Sequence, residues 1–228
     1  MTKHWGHDPY IEIREDLRKI LPYGVGCAVC DPRRVRTGGD ELWPEERPAI
    51  VNAMAKRSRE FTAGRIMARK AMADIGLPQV AVPIAANRAP IWPEGVVGSI
   101  SHCDSLCAAV VARTRDVAAI GIDVEDYAPL EQELWGEICN PEEIAWVQSQ
   151  TRAKQGHLVK QIFSAKEAIY KAIFPRILKV LAFSDVTIDT DRSHATCILS
   201  QNRIVSLWAD QGQDPWFSVH VPTEPTGA

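Results

Sequence analysis

No apolar run in this chain reaches the roughly 18 residues needed to cross a bilayer as a helix, so no transmembrane segment is expected. The amino terminus, Met1-Thr2-Lys3-His4-Trp5-Gly6-His7-Asp8, has no apolar signal core, and a cytoplasmic protein is expected. Basic charge is not in excess: 26 Lys and Arg stand against 29 Asp and Glu, for a net charge of −3. That balance argues against general nucleic-acid binding. A second CxxC is also missing. Cys27-Ala28-Val29-Cys30 stands alone, and Cys103 and Cys107 are wrongly spaced to complete a zinc site. Several of the six cysteines lie in apolar runs such as Leu106-Cys107-Ala108-Ala109-Val110 and read as reduced, packed thiols rather than a disulfide framework.

What is present is an ordinary globular composition, 46% hydrophobic and 24% charged over 228 residues, enough for one large domain or two small ones packed together. Prolines at 9, 22, 32, 44 and 48 break up the first fifty residues, leaving a short helix over 11–20 and a strand over 24–30. A long helix is predicted over 48–75, stopped by Gly76-Leu77-Pro78. A β-hairpin follows over 95–112, and a turn at 113–116 leads to a further strand. Helices are then predicted over 130–138, 141–150 and 157–174, the last ending at Pro175. Strands over 186–189, 195–199, 203–208 and 216–221 close the chain, with turn chemistry at Gln211-Gly212-Gln213-Asp214. Helices and hairpins segregate rather than alternate, so the class is α+β. The order of helices followed by a meander occurs twice, at about 1–112 and 116–228.

Two short segments carry the chemistry. In Gly121-Ile122-Asp123-Val124-Glu125, read as a strand, Asp123 and Glu125 point to one face while Ile122 and Val124 point to the opposite, buried one. In Phe163-Ser164-Ala165-Lys166-Glu167-Ala168-Ile169-Tyr170-Lys171, read as a helix, Ala165, Ala168, Ile169, Ala172 and Ile173 form the apolar stripe. Glu167 and Lys171 sit together on the other side. Three carboxylates and a lysine suit a hard, oxygen-liganded cation and proton transfer at a phosphate ester. They point to a magnesium-dependent enzyme acting on a phosphate compound.

These segments, together with Lys56-Arg57-Ser58-Arg59-Glu60-Phe61-Thr62-Ala63-Gly64-Arg65, Asn87-Arg88-Ala89-Pro90-Ile91-Trp92-Pro93 and Gly98-Ser99-Ile100-Ser101-His102, resemble the 4′-phosphopantetheinyl transferase superfamily, in the group of enterobactin synthase component D and the surfactin-type enzymes. The blocks span about 56–175; the acidic pair followed by the FS-x-KE-x-x-x-K pattern is the specific part. The resemblance implies two similar α+β subdomains related by a pseudo-two-fold, 1–115 and 116–228, each with an antiparallel sheet and packed helices. Coenzyme A would bind at their junction. It implies transfer of the phosphopantetheine arm of coenzyme A to a serine of an acyl, aryl or peptidyl carrier protein, releasing adenosine 3′,5′-bisphosphate, with Mg²⁺, in siderophore, nonribosomal peptide or polyketide synthesis. By matching position, Asp123, Glu125 and Glu167 would be the metal ligands, and Glu167, Lys171 and Asp123 the catalytic set. Arg57, Arg65, Arg88, Ser101, His102 and Lys171 would hold coenzyme A. A monomer is expected.

Each feature has a plainer reading. Glu167 and Lys171 alone are a helix pair worth about 0.2–0.5 kcal/mol, and Asp123 and Glu125 alone could line a solvated strand. Arg57, Arg65 and Arg69 share a helix face suited to phosphate contacts, or form a solvated basic face, and His102 could be an ordinary hairpin histidine. A nucleic-acid helix lacks the aromatic stacking set it would need. A rival from another class is a non-catalytic binder of coenzyme A or of a carrier protein, which would have no need of an intact Glu167/Lys171 pair.

Overall fold

The computed structural model describes residues 9–36, 41–188, 196–200, 203–210 and 217–219. Helix α1 (Pro9–Ile20) precedes strand β1 (Gly26–Cys30) and the long helix α2 (Ala55–Asp74). Strands β2 (Val96–His102), β3 (Cys107–Arg113) and β4 (Ala119–Asp126) follow. Then come α3 (Trp135–Ile138), α4 (Pro141–Ser149) and the longest helix, α5 (Arg152–Ile177). Four strands close the chain: β5 (Val186–Ile188), β6 (Thr196–Ser200), β7 (Arg203–Asp210) and β8 (Phe217–Val219). All strand pairs are antiparallel, in sheets ordered β1-β3-β2, β4-β7-β6 and β5-β8. The α+β class expected from the sequence is what forms.

The two halves share one connectivity. A strand is followed by a helix and then a hairpin whose second strand pairs with the first, as β1-α2-β2-β3 and again as β4-α5-β6-β7. Matching positions carry matching devices. A Cβ on Gly26 would lie 2.2 Å from the carbonyl oxygen of Ala71 in α2, and one on Gly121 would lie 1.8 Å from that of Ala168 in α5. Only glycine lets strand and helix backbones approach this closely. Two residues before each of these alanines is a buried cation. Arg69 donates to both carboxylate oxygens of Glu46 at 2.7 Å, and Lys166 donates to Glu143 at 2.7 Å. Glu46 also accepts from the backbone N–H of Trp43 and Val82, and Glu143 from those of Asn140 and Ile188. Each pair is therefore solvated by protein groups, which is what a buried charge requires.

The inner faces of the two principal sheets meet in one core. Ala108, Val110 and Ala112 of β3, with Leu106 just before it, pack with Ile120, Ile122 and Val124 of β4, closed off by Ile13 and Leu17 of α1. The other face of β3, Cys107, Ala109 and Val111, lies under α2. Between the sheets the free edge of β4 meets side chains instead of a strand: the N–H groups of Ile122 and Val124 donate to the hydroxyls of Ser99 (3.1 Å) and Ser101 (3.2 Å) on β2.

Three sequence expectations are corrected. The long basic helix begins at Ala55, since Arg47–Ile50 forms a separate 3₁₀ turn opened by Pro48. Helix α5 runs through Pro175 to Ile177, because a proline in the last turn forfeits a single hydrogen bond, and Leu178 caps the helix in the left-handed conformation. The four terminal strands are nested rather than a meander: β6 and β7 form a hairpin, and β5 pairs with β8. The predicted turn at 211–214 lies outside the described residues. No helix among the described residues is long and apolar enough to cross a membrane.

Candidate active site

Strand β4 places Asp123 and Glu125 on the face opposite Ile122 and Val124, as the alternation predicts. That face is not open, however. Helix α5 lies across it on Gly121, and Asp123 is only 3% exposed. Lys171 of α5 donates to Asp123 Oδ1 at 2.5 Å. The Ser101 hydroxyl donates to the same oxygen at 3.0 Å and accepts from Lys171 Nζ at 3.0 Å and from the Val124 N–H. Its one donor and two acceptor positions are thereby filled. Asp123 Oδ2, also buried, has no hydrogen-bond partner.

Glu125 meets a different lysine, accepting from Lys160 Nζ at 2.8 Å. Glu167 is one helical turn before Lys171. Burial holds its carboxyl above the usual carboxylate range; Lys171 opposes that shift, while Asp123 and Glu125 add to it by like-charge repulsion. Among the described residues no three His, Cys, Asp or Glu side chains converge as a ready metal cage. Two lysines compensate the carboxylates instead. The donor set nevertheless fits a hard cation: hard oxygen ligands, one of them a buried carboxylate oxygen lacking any partner, beside a glutamate whose carboxyl burial holds above its usual range.

Next to this cluster a cavity of about 290 Å³ opens between the halves. Arg57, Arg65, Arg88 and His102 line it from the first half, and Tyr170, Lys171 and Phe174 from the second. Ser101 lies just beneath, bonded to Lys171. Arg65 is buried, its guanidinium 4.1 Å from the Phe61 ring centroid, and its Nε has no hydrogen-bond partner. Desolvation pulls its pKa down to about 10. Arg88 is exposed and sits at φ 69°, a left-handed conformation uncommon for arginine, in a turn where Asn87 Oδ1 accepts from the Ala89 N–H. His102 Nδ1 lies 3.9 Å from Glu60 Oε2. Burial lowers its pKa; Glu60 opposes that shift, and Arg57, Lys171 and Lys56 reinforce it. Glu60 is the acidic side chain on a wall otherwise lined by these cationic groups.

Arg69, expected on the same basic face, is not part of the pocket; Glu46 takes its guanidinium into the core. Sequence reasoning missed Ser99, Lys160 and both buried ion pairs. Lys160 had a legible signal: seven residues before Glu167, it lies two turns along the same helix face.

Residues 45–112 match the family model described as the 4′-phosphopantetheinyl transferase N-terminal domain, and 119–221 that of the 4′-phosphopantetheinyl transferase superfamily. Among curated relatives, the 4′-phosphopantetheinyl transferase Npt of Nocardia iowensis is 40% identical over 145 residues, 64% of either chain. The 4′-phosphopantetheinyl transferase PptT of Mycobacterium tuberculosis is 38% identical over 150 residues, covering 65% of this chain and 66% of its own. Enterobactin synthase component D of Salmonella typhi is 37% identical over 141 residues, covering 60% and 57%. The matches thus span a little under two thirds of these relatives. With both halves accounted for by models of one family, this chain belongs to the 4′-phosphopantetheinyl transferase superfamily.

Proposed function

We propose that this chain transfers the 4′-phosphopantetheine arm of coenzyme A to a serine of an apo carrier protein, releasing adenosine 3′,5′-bisphosphate. The observation that carries this reading is the pocket itself, with Arg57, Arg65, Arg88 and His102 on its walls and Lys171 joining it to Asp123. Relatives named as 4′-phosphopantetheinyl transferases and as enterobactin synthase component D support a carrier protein of siderophore or nonribosomal-peptide synthesis as the acceptor, with polyketide carriers as further candidates. The protein is read as a cytoplasmic monomer with subdomains 1–115 and 116–228, its donor held at their junction.

Arg57, Arg65, Arg88 and His102 hold and orient the adenosine phosphates by charge-assisted hydrogen bonds, which the orphaned Nε of Arg65 supports. Asp123, Glu125 and Glu167 would hold Mg²⁺, which when bound would neutralise charge developing on the pyrophosphate. Glu167, whose carboxylate burial makes more basic than usual, takes the proton of the incoming serine, a weak nucleophile until deprotonated. Lys171 stabilises the departing phosphate, and Ser101 keeps that ammonium and Asp123 in register. The reaction needs no covalent enzyme intermediate.

The test is intact-mass analysis of apo acyl, aryl and peptidyl carrier proteins incubated with coenzyme A and Mg²⁺. Each accepted carrier gains one phosphopantetheine, and chelation of the metal abolishes the gain. If no carrier gains that mass while coenzyme A still binds, the chain is a binder and the transferase reading is wrong.

A further inference from the structure

Lysines from one face of α5 match two of the three site carboxyls: Lys171 bonds Asp123 and Lys160 bonds Glu125. The Lys160 side chain is 14% exposed and its partner 26%, so the pair is largely withdrawn from water and weakly screened. Its ammonium also lies 5.6 Å from the ring centroid of Phe163, which helps fix the side chain over β4. Lys171 has a second use at the cavity wall, but Lys160 does not line that cavity. Its ammonium donates to Glu125.

We infer that Lys160 is an internal counter-cation that occupies Glu125 and keeps divalent-metal affinity low until the phosphate donor arrives. This deepens the transferase reading and rests on it. Three carboxyls faced by two ammonium groups form a cluster with little net negative charge, unlike the strongly anionic cages that retain a resident cation. The donor's pyrophosphate would supply the missing negative charge, so metal and donor would bind with positive coupling. Lys160 is therefore a positioning residue. It acts on the metal through Glu125 and touches neither substrate.

Mn²⁺ alone is the probe, titrated by electron paramagnetic resonance with neither coenzyme A nor carrier present. Removing a unit positive charge within a few ångströms of a divalent ion should tighten its binding at least about tenfold at the effective permittivity of a protein site. Lys160→Met should show that gain, and Lys160→Gln repeats the charge loss should the methionine variant fail to fold. Lys160→Arg, which keeps charge and donor, should behave as wild type; a purely steric role would not predict that rescue. Adding Asp123→Ala to Lys160→Met should erase the gain and so locate the ion. Equal, weaker or undetectable Mn²⁺ binding by the neutral variants overturns the inference. Carrier loading is read separately by mass, so failure of the transferase reading would appear there and not in the metal titration.

Discussion

Glu167 sits in a place that suits its proposed chemistry and costs the fold. Its carboxyl is raised above the ordinary range by burial and by Asp123 and Glu125 against the opposing Lys171. A carboxyl whose folded pKa exceeds its unfolded value adds stability below the unfolded pKa and loses it as pH rises through the folded one. Glu167→Gln should therefore be stabilised relative to wild type at neutral pH, and the difference should vanish in acid, as measured by denaturant melts across pH without metal. The same variant should lose at least about 10²-fold in carrier loading. Asp123→Asn should lose activity on the same scale yet melt near wild type. Asp123→Ala should melt lower, because it strands Lys171 and Ser101 in a largely buried position. The alternation of β4 made the orientation of Asp123 legible; its burial was not, because that depends on how close α5 comes over Gly121, a tertiary fact no local pattern encodes.

Helix α2 shows how one element divides similar residues between unlike tasks. Arg57 and Arg65 line the cavity, whereas Arg69, one turn beyond Arg65, is neutralised by Glu46. If Arg57, Arg65 and Arg88 hold phosphates alike in ground and transition states, replacing any one should raise KM for coenzyme A with little change in kcat. The cost should be about 1.5–3 kcal/mol per contact, and dephospho-coenzyme A identifies the arginine at the 3′-phosphate through its lost discrimination. Arg69→Ala should instead leave KM untouched in the surviving protein and destabilise it by about 3–5 kcal/mol, since Glu46 is then buried without its partner. Calorimetry beside steady-state kinetics separates the two classes. Helical periodicity could list these arginines but not sort them, because the sorting partner, Glu46, comes from a loop before the helix. The FS-x-KE-x-x-x-K pattern of α5 was legible as chemistry from Glu167 and Lys171, but the intervening polar surprise, Lys166 at 1% exposure, carried no such signal.

On the scale of the whole molecule, both halves line the proposed donor pocket, so a ligand there touches each at once. Coenzyme A should raise the melting temperature as a single transition, by an amount equivalent to about 2.7 kcal/mol at a hundredfold excess over its dissociation constant. A scan that instead splits into two transitions with donor bound would show that the halves melt independently. The repeated unit was legible only as an order of elements. Its true form, with each hairpin returning to the strand before the helix, emerges from long-range pairing.

Ser99 and Ser101 give the junction one more consequence. An outer strand with unpaired N–H groups is a template on which another molecule can add its own backbone. In β4 the outward N–H groups of Ile122 and Val124 are instead capped by two hydroxyls from the neighbouring sheet. The chain thus closes off an edge that could nucleate intermolecular strand addition, using two oxygen atoms where another fold would use a whole strand.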